Sequence, residues 1–280
     1  MKHEEILQQI NQNYKIVERF MGGMSNFTYK IKDNNNVNYV FRYPGKGNYN
    51  FVDYSQEKEH LKAIEKLNIS NKVIYLDSVQ GLKIATYVVG ENIKETVDLV
   101  QISNILKKLH QANIELAKYD HLGRLIKYEK LHTNKVEKYV DLKKSWLEIY
   151  EKYLKQHLKY PTHNDAQMAN FIITPNQEIK LLDWEFTGIN DYIYDIACFG
   201  NSNFQMAKNL LQVYEVELTT DKMIRLFAWR MFQCLQWFNV ASYKEEIGLS
   251  KDLGIDFQLV SKKYLSLAEE FLQEVNQLTI

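Results

Sequence analysis

Residues 162–188 read THNDAQMANFIITPNQEIKLLDWEFTG and contain the side chains that decide the fold class. Asp165 follows a His-Asn pair, Asn170 comes five residues later, and Asp183 ends an apolar run after a predicted β-hairpin. A loop, a helix start and a strand end can bring three such oxygen-bearing side chains together. Mg²⁺ prefers oxygen ligands and usually keeps substrate phosphates in its coordination shell. We therefore expect Asn170 and Asp183 to bind Mg²⁺, and Asp165 to orient a hydroxyl group and accept its proton.

The order of these residues is more specific than any one of them. A His-Asn-Asp triplet alone is more often a turn than a catalytic loop. The spacing Asp-x-x-x-x-Asn, however, is that of the protein-kinase catalytic loop, and a metal-binding Asp after a hairpin completes the phosphoryl-transfer site. The combination predicts a phosphotransferase.

The same region resembles the choline/ethanolamine kinase family, especially its bacterial branch, within the kinase-like fold that also contains aminoglycoside phosphotransferases. The matching segments are His163-Asn164-Asp165-x4-Asn170, Asp183-Trp184-Glu185-Phe186-x-Gly188 and Asn190-Asp191-x-x-Tyr194-Asp195-Ile196-Ala197. The resemblance extends through the first 200 residues. It implies an α+β, bilobal protein-kinase-like fold, with an antiparallel sheet and one main helix in the N-terminal lobe and a mostly helical C-terminal lobe. It also implies ATP as the phosphoryl donor.

Composition excludes several other classes of protein. The chain has 280 residues, 45% of them hydrophobic and 25% charged, as in ordinary globular proteins. Its net charge is zero, which does not favour nucleic acid or an anionic membrane as a partner. No apolar run reaches the roughly 20 residues that cross a bilayer, and the polar first residues, MKHEEILQQINQNY, do not resemble a signal region. We expect a cytoplasmic protein, and no obligate protein partner is evident.

The first 91 residues are predicted to form a nucleotide-binding lobe, and residues 92–280 a catalytic and acceptor-binding lobe. A glycine-containing loop between the first two predicted strands lets the backbone approach a phosphate, although most such loops are plain hairpin turns. The loop residues expected to cover the ATP phosphates are Gly22, Gly23, Ser25 and Asn26. The family resemblance further implies a hinge, including Thr86 and Val88, whose backbone groups bind the adenine edge.

A basic residue on the third predicted strand, Arg42, is the expected phosphate-binding cation. A guanidinium group can bind phosphate oxygens bidentately. The ordinary interpretation of such a residue is an arginine exposed on a strand without a specific role. The predicted helix Tyr54–Leu67 places Glu57 on its apolar face, where a carboxylate needs a partner, and Glu59 elsewhere. We therefore expect Glu57 to pair with Arg42.

The family resemblance implies that an aromatic-rich predicted helix, Met223–Tyr243, lies on the acceptor side of the cleft. Such a stripe is usually core, but aromatic faces also attract quaternary ammonium groups. Glu185, Phe186 and Trp237 are the candidates for binding the cationic end of the acceptor. Compared with the family, Phe186 replaces a usual Tyr, and Val240 stands where the second of two tryptophans is usual.

These features predict transfer of the ATP γ-phosphoryl group to the hydroxyl of choline or a related amino alcohol. Ethanolamine or another amino alcohol is the first alternative, because a smaller aromatic box suits a primary ammonium. An aminoglycoside would require a markedly acidic C-terminal lobe, yet residues 200–280 contain ten Asp and Glu against eight Lys and Arg. A non-catalytic, nucleotide-binding scaffold is a further alternative, and the presence of Asp165, Asn170 and Asp183 disfavours it.

Overall fold

The computed structural model describes residues 2–21 and 25–279, which group into two compact units. One unit is formed by the chain up to Ile93 together with Ala169–Phe186, and the other by Lys94–Met168 and the chain from Thr187 onwards. Within the described residues, the strands are β1 (Lys15–Phe20), β2 (Asn26–Lys32), β3 (Asn38–Pro44), β4 (Val73–Leu76), β5 (Lys83–Thr86), β6 (Glu91–Asn92), β7 (Tyr160–Thr162), β8 (Phe171–Ile173), β9 (Ile179–Leu181) and β10 (Gly188–Asn190). The helices are α1 (Lys2–Ile10), α2 (Tyr54–Glu65), α3 (Leu99–His110), α4 (His121–Glu129), α5 (Glu137–Ile149), α6 (Tyr192–Phe199), α7 (Phe204–Tyr214), α8 (Thr220–Glu246), α9 (Leu249–Leu253) and α10 (Phe257–Thr279).

A five-stranded antiparallel sheet forms most of the first unit, with the strands in the order β1-β2-β3-β5-β4. Side chains alternate between the two faces of a strand, so apolar residues two apart share one face. Tyr29 and Ile31 of β2 are buried in this way, together with Phe41 of β3. Leu7 of α1 and Ile84 of β5 complete the same cluster.

Helix α2 follows the sheet strands β1–β3 and carries one inward face. Asp53 caps its first turn, because its carboxylate accepts a hydrogen bond from the backbone N–H of Gln56 at 3.0 Å. The buried positions recur every three or four residues, as expected for a helix that packs on one side. They are Tyr54, Glu57, His60 and Ile64.

A smaller antiparallel sheet in the first unit has the order β6-β8-β9. Phe171 pairs with Leu181 across the β8–β9 hairpin, and the backbone N–H of Leu181 also donates to the carbonyl of Ile69 at 2.8 Å. Gly90 precedes β6 at a close approach, since a Cβ atom there would lie 2.4 Å from the carbonyl oxygen of Ile173. The later segment 169–186 is therefore an integral part of the first unit.

The second unit is mostly helical around a two-stranded antiparallel pair. Strand β7 pairs with β10, with Thr162 opposite Gly188, so the two ends of the sequence 162–188 lie side by side. Helix α8 packs along α10 and against α6, and is buried on nearly all sides. Its Trp229 and Phe232 pack with Trp146 of α5 in the core.

These elements confirm the predicted α+β class, with an antiparallel sheet and one main helix in the first unit and a mostly helical second unit. The predicted aromatic-rich helix Met223–Tyr243 lies within α8. The lobe boundary at residue 91 stays a prediction. Across the described part of the chain, no helix combines the length and apolarity required to cross a membrane.

Candidate active site

The loop after β7 is fixed by a buried carboxylate of α6. Asp195 accepts hydrogen bonds from the backbone N–H groups of His163, at 2.8 Å, and Asn164, at 2.7 Å. His110 lies on the other side of the same carboxylate, with its Nε2 atom 3.0 Å from Asp195 Oδ2. Two donated backbone hydrogen bonds to one buried carboxylate leave this part of the loop little freedom to move.

Asn164 adopts a left-handed backbone conformation, with φ of 64°. Asn tolerates this conformation better than most residues, and its side chain is held as well. The amide group of Asn190 donates to Asn164 Oδ1 at 2.7 Å, and the hydroxyl of Thr162 lies 3.1 Å from the same oxygen. The turn directly before Asp165 is therefore over-determined, as is typical of functional loops.

Asp165 leaves this turn with a partly buried side chain. Its backbone N–H donates to Nδ1 of His163 at 3.2 Å, and its Oδ2 atom accepts from the amide of Gln167 at 3.2 Å. A carboxylate in this setting can orient a hydroxyl group and take its proton.

Asn170 and Asp183 lie at the same end of the β8–β9 hairpin, in the first unit. The backbone N–H of Leu182 donates to the carbonyl of Asn170 at 2.8 Å, which ties the two positions together. Asp183 also has a positive φ, 66°, and its side chain is 40% exposed. A carboxylate on a strained backbone that is still open to solvent is typical of a functional position.

The donor set of Asn170 and Asp183 fits Mg²⁺, which binds carboxylate and amide oxygens. Within residues 2–21 and 25–279, no group of three or more His, Cys, Asp or Glu side chains could hold a metal ion. A Mg²⁺ ion held by these two side chains would therefore take its remaining ligands from phosphate and water, as this ion commonly does.

A buried charge cluster surrounds Arg42, whose residue exposure is 4%. The predicted ion pair is present: the two terminal nitrogens of Arg42 donate to the two carboxylate oxygens of Glu57, at 2.9 and 2.6 Å. The same nitrogens also donate to Glu185 at 3.1 Å and to the carbonyl of Gly81 at 3.2 Å. Bidentate phosphate binding by this guanidinium would therefore require one of these acceptors to be displaced, and that role of Arg42 stays a prediction.

Lys83 is a second cation in this cluster that the sequence pattern did not indicate. It lies directly opposite Arg42 in the β3–β5 pair and donates to Glu57 at 2.8 Å. Burial alone would raise the pKa of Glu57, but the charges of Lys83 and Arg42 outweigh it and lower the pKa to about 2. Glu57 is thus held as a carboxylate, whereas Glu59 lies at the surface with Lys62.

Glu185 faces this cluster and is itself buried. Besides Arg42, it accepts a hydrogen bond from the amide of Asn26 at 3.2 Å. Burial and the neighbouring charge of Asp183 raise the pKa of Glu185 to about 7, although Arg42 opposes this. Its carboxylate is therefore engaged with groups of the first unit, and its predicted contact with the acceptor stays a prediction.

The other predicted acceptor residues lie in different units. Phe186 is half-buried and ends the segment 169–186. Trp237 belongs to α8, where its ring stacks on that of Tyr264 with a centroid distance of 6.3 Å. The ammonium group of Lys244 lies 5.9 Å from the centre of the Trp237 ring. The acceptor roles of Phe186 and Trp237 stay predictions.

The predicted phosphate loop is described only in part, since Gly22 and Gly23 lie outside the described residues. The carbonyl of Ser25 accepts from the backbone N–H of Gly45 at 2.9 Å. The Oδ1 atom of Asn26 accepts from the side chain of Asn48 at 2.9 Å. These contacts anchor the C-terminal side of the loop at the start of β2.

The predicted hinge lies between β5 and β6. Thr86 is the last residue of β5 and pairs with Tyr39, and its hydroxyl accepts from the backbone N–H of Lys72 at 3.0 Å. Val88 follows in a half-buried, irregular segment. Adenine binding at Thr86 and Val88 stays a prediction.

The chain is similar to known phosphotransferases over most of its length. A model described as the phosphotransferase enzyme family matches residues 16–220. The chain belongs to this phosphotransferase family. Protein LicA of Haemophilus influenzae is 25% identical over 296 residues, which covers 98% of this chain and 85% of that protein. The resemblance to the choline/ethanolamine kinases inferred from the sequence is thereby confirmed.

Solved structures of phosphotransferases share the fold. Choline kinase LicA from Streptococcus pneumoniae superimposes with a TM-score of 0.82 at 22% identity, covering 98% of this chain and 100% of that one. A structure of LicA in complex with AMP gives a TM-score of 0.79 at 21% identity, covering 96% and 98% of the two chains. The kinase-like α+β fold predicted from the sequence is therefore that of these structures.

Proposed function

We propose that this protein transfers the γ-phosphoryl group of ATP to the hydroxyl of a small amino alcohol, with choline as the first candidate. The observation that carries the proposal is the fixed loop 163–165, in which Asp195 binds two backbone N–H groups and places Asp165 directly after a left-handed turn. This is the arrangement that a catalytic base requires, since small errors in position reduce the rate strongly. The similarity to a choline kinase and to a structure of LicA in complex with AMP supports the choice of substrates.

In the proposed reaction, Asp165 accepts the proton of the acceptor hydroxyl while the hydroxyl oxygen bonds to the γ-phosphorus. The bond from that phosphorus to the bridging oxygen of ADP breaks, so the products are a phosphate monoester and ADP. Asn170 and Asp183 would hold Mg²⁺, which when bound neutralises negative charge on the β- and γ-phosphates. Arg42 would act mainly through its positive charge, because both of its terminal nitrogens already bind Glu57.

The remaining residues are proposed to bind the two substrates. The loop of Gly22, Gly23, Ser25 and Asn26 would lie over the phosphates, and the backbone near Thr86 and Val88 would bind adenine. Phe186 and Trp237 would contact the cationic end of the acceptor. Glu185 has the least support for that role, because its carboxylate binds Arg42 and Asn26. A cytoplasmic location, where ATP is available, follows from the proposal.

The direct test is an ADP-release assay with Mg²⁺ and choline, ethanolamine or an aminoglycoside as acceptor. Asp165→Asn should reduce kcat by about 10²- to 10⁴-fold, the usual contribution of a positioned base. Asp98→Asn is the matched control, because Asp98 caps α3 at the surface and Asn caps a helix equally well.

Each outcome of this assay bears on a different part of the proposal. Full activity of Asp165→Asn would refute the assigned proton acceptor. Turnover with ethanolamine alone would keep the mechanism and change the acceptor. ATP binding without ADP release from any of the three acceptors would refute the proposed kinase and favour the nucleotide-binding scaffold.

A further inference from the structure

Arg230 is a buried cation in α8 with uncharged partners. The residue is 2% exposed, and its two terminal nitrogens donate to Gln233 Oε1 at 3.0 Å and to Asn201 Oδ1 at 2.7 Å. Arg225, one and a half turns earlier on the same helix, instead forms an ion pair with Asp191. Buried charges are usually neutralised by an opposite charge, so a buried arginine that binds amides calls for another explanation.

The hydrogen bonds of Arg230 continue as a directed chain through two amide side chains. An arginine can only donate, so Asn201 must present its oxygen to Arg230 and its NH₂ group elsewhere. That NH₂ group donates to Gln167 Oε1 at 3.2 Å. Gln167 in turn can only offer its own NH₂ group to the next residue, and it donates to Asp165 Oδ2 at 3.2 Å.

The two ends of this chain require the same direction. Arg230 has donors only, and an ionised carboxylate has acceptors only. With Arg230 at one end and Asp165 at the other, each of the two amides has one orientation that satisfies both of its neighbours. The arginine therefore determines which atom of Gln167 faces the carboxylate.

The far end of the chain is anchored in the helical core. Gln233 lies one turn after Arg230 on α8, and its amide donates to the carbonyl of Tyr194 in α6 at 3.1 Å. Tyr264 of α10 also shares a hydrogen bond with Arg230. Three packed helices thus fix the guanidinium group.

We propose that Arg230 is a positioning residue that holds the Asp165 carboxylate in its reactive orientation through Asn201 and Gln167. The proposal rests on the proposed function, since it needs Asp165 to be the proton acceptor. Rotation of the Asp165 carboxylate is restricted because one of its oxygens accepts a hydrogen bond from Gln167. The amide of Gln167 has a fixed orientation, because its oxygen accepts from Asn201. Loss of that restriction lowers the rate of the chemical step and leaves ATP binding unchanged.

Asn201→Asp tests this proposal, because it changes the direction of the chain and hardly changes its shape. The new carboxylate can pair with Arg230 but cannot donate to Gln167. The amide of Gln167 then rotates so that its NH₂ group donates to residue 201. This rotation points the amide oxygen of Gln167 at Asp165. We expect the melting temperature to stay the same or rise, kcat to fall by about 10- to 100-fold, and the KM for ATP to stay constant.

Two further variants separate positioning from a purely structural role. Asn209→Asp in α7 is the matched control, because Asn209 uses its oxygen to accept from Gln205 and an aspartate keeps that acceptor. Gln167→Leu removes the last link, and should itself lower kcat. In that background Asn201→Asp should have no further effect on kcat, since interactions in one chain are not additive.

Wild-type kcat in Asn201→Asp, or a decrease equal to that in Asn209→Asp, would overturn the proposal. Additive effects of Asn201→Asp and Gln167→Leu would do the same. If Asn201→Asp fails to fold, wild-type kcat in Gln167→Leu alone would be sufficient to reject it. If Asp165→Asn is fully active, the proposed function itself is wrong, whereas an inactive Asp165→Asn beside an active Asn201→Asp rejects only the positioning chain.

Discussion

Replacing Glu57 by Gln should destabilise the first unit by about 3 kcal/mol at neutral pH. Glu57 is 1% exposed and binds both Arg42 and Lys83. Its pKa falls from 4.5 to about 2 in the folded protein, and about 1.4 kcal/mol corresponds to each pKa unit, which gives the predicted loss. Removal of one partner from a buried ion pair typically costs about 3–5 kcal/mol, in agreement with this value.

The pH dependence gives a second measure of the same interaction. Because the pKa of Glu57 is lower in the folded than in the unfolded chain, its stabilisation is complete above about pH 5. It is lost as the pH falls from about 4.5 towards 2. The difference in unfolding free energy between wild type and Glu57→Gln should therefore be largest at neutral pH and should decrease towards pH 2.

Urea denaturation at several pH values would measure this difference, and hydrogen exchange of peptides from β3 and α2 would assign it to the first unit. Glu59→Gln is the matched control on the same helix, because the Glu59 side chain is 67% exposed and pairs only with the exposed Lys62 in the hydrogen bonds described. The reasoning is refuted if Glu57→Gln loses no more stability than Glu59→Gln, or if the difference is the same at pH 7 and pH 3.

Two further predictions concern the buried histidine of α4 and the strained residue after β9. Burial lowers the pKa of His121 to about 3, so the unfolded chain binds a proton there that the folded one does not, and stability should decrease as the pH falls from about 6.5 towards 3. In His121→Phe, the melting temperature should decrease less between pH 7 and pH 5 than in the wild type. A pH dependence of the melting temperature equal to that of the wild type would contradict this. Asp183→Gly should abolish ADP release without lowering the melting temperature, because glycine adopts the φ of 66° without strain. Gln177→Gly, at a φ of 63° in the same hairpin, should likewise not lower the melting temperature and should keep full activity; loss of activity there would show that backbone strain, not the carboxylate, matters.

The pairing of Arg42 with Glu57 could be predicted from the sequence. The inward face of α2 follows from local helix periodicity, and few cations were available as partners for Glu57. The helical period places Glu57 on the face of Tyr54 and Ile64, and these residues are indeed buried on α2. A carboxylate on an apolar face needs a cation, and Arg42 was the available one on a neighbouring strand. The helical pattern of α2 therefore indicated both that Glu57 faces inwards and that its carboxylate needs a cationic partner.

The second cation could not be predicted in the same way. Lys83 reaches Glu57 only because the register of the β3–β5 pair sets it opposite Arg42, 41 residues away in the chain. Register between distant strands depends on packing of the whole sheet, and a lysine in a strand is ordinarily assigned to the surface. Only a structure can show that this one is half-buried and paired with a carboxylate.

The contacts of Glu185 could not be predicted from the sequence either. Glu185 was a candidate for binding the cationic end of the acceptor. The left-handed backbone of Asp183, however, turns the following residues, and the carboxylate of Glu185 meets Arg42 and Asn26. Aspartate adopts such a conformation in only a minority of cases, so residue type gives no warning of it.

The path of hydrogen bonds from Arg230 to Asp165 could not be predicted from the sequence either. Asparagine and glutamine can each donate and accept, so their identity does not specify a partner. Gln167 and Asn201 are 34 residues apart in sequence and meet through the packing of α6, α8 and the loop after β7. Helix periodicity places Arg230 among apolar neighbours but cannot say what it binds.

The split sequence of the first unit affects how the protein emerges from the ribosome. Strand β6 lacks its partner β8, and Ile69 lacks the N–H of Leu181, until the segment 169–186 has been made. Roughly 75 residues of the second unit, Lys94–Met168, are translated in between, which at about 5–20 residues per second takes on the order of 4–15 s. For that interval the nascent chain carries all five strands of the larger sheet but an unpaired strand β6, and slowing translation after residue 93 should increase its need for chaperones.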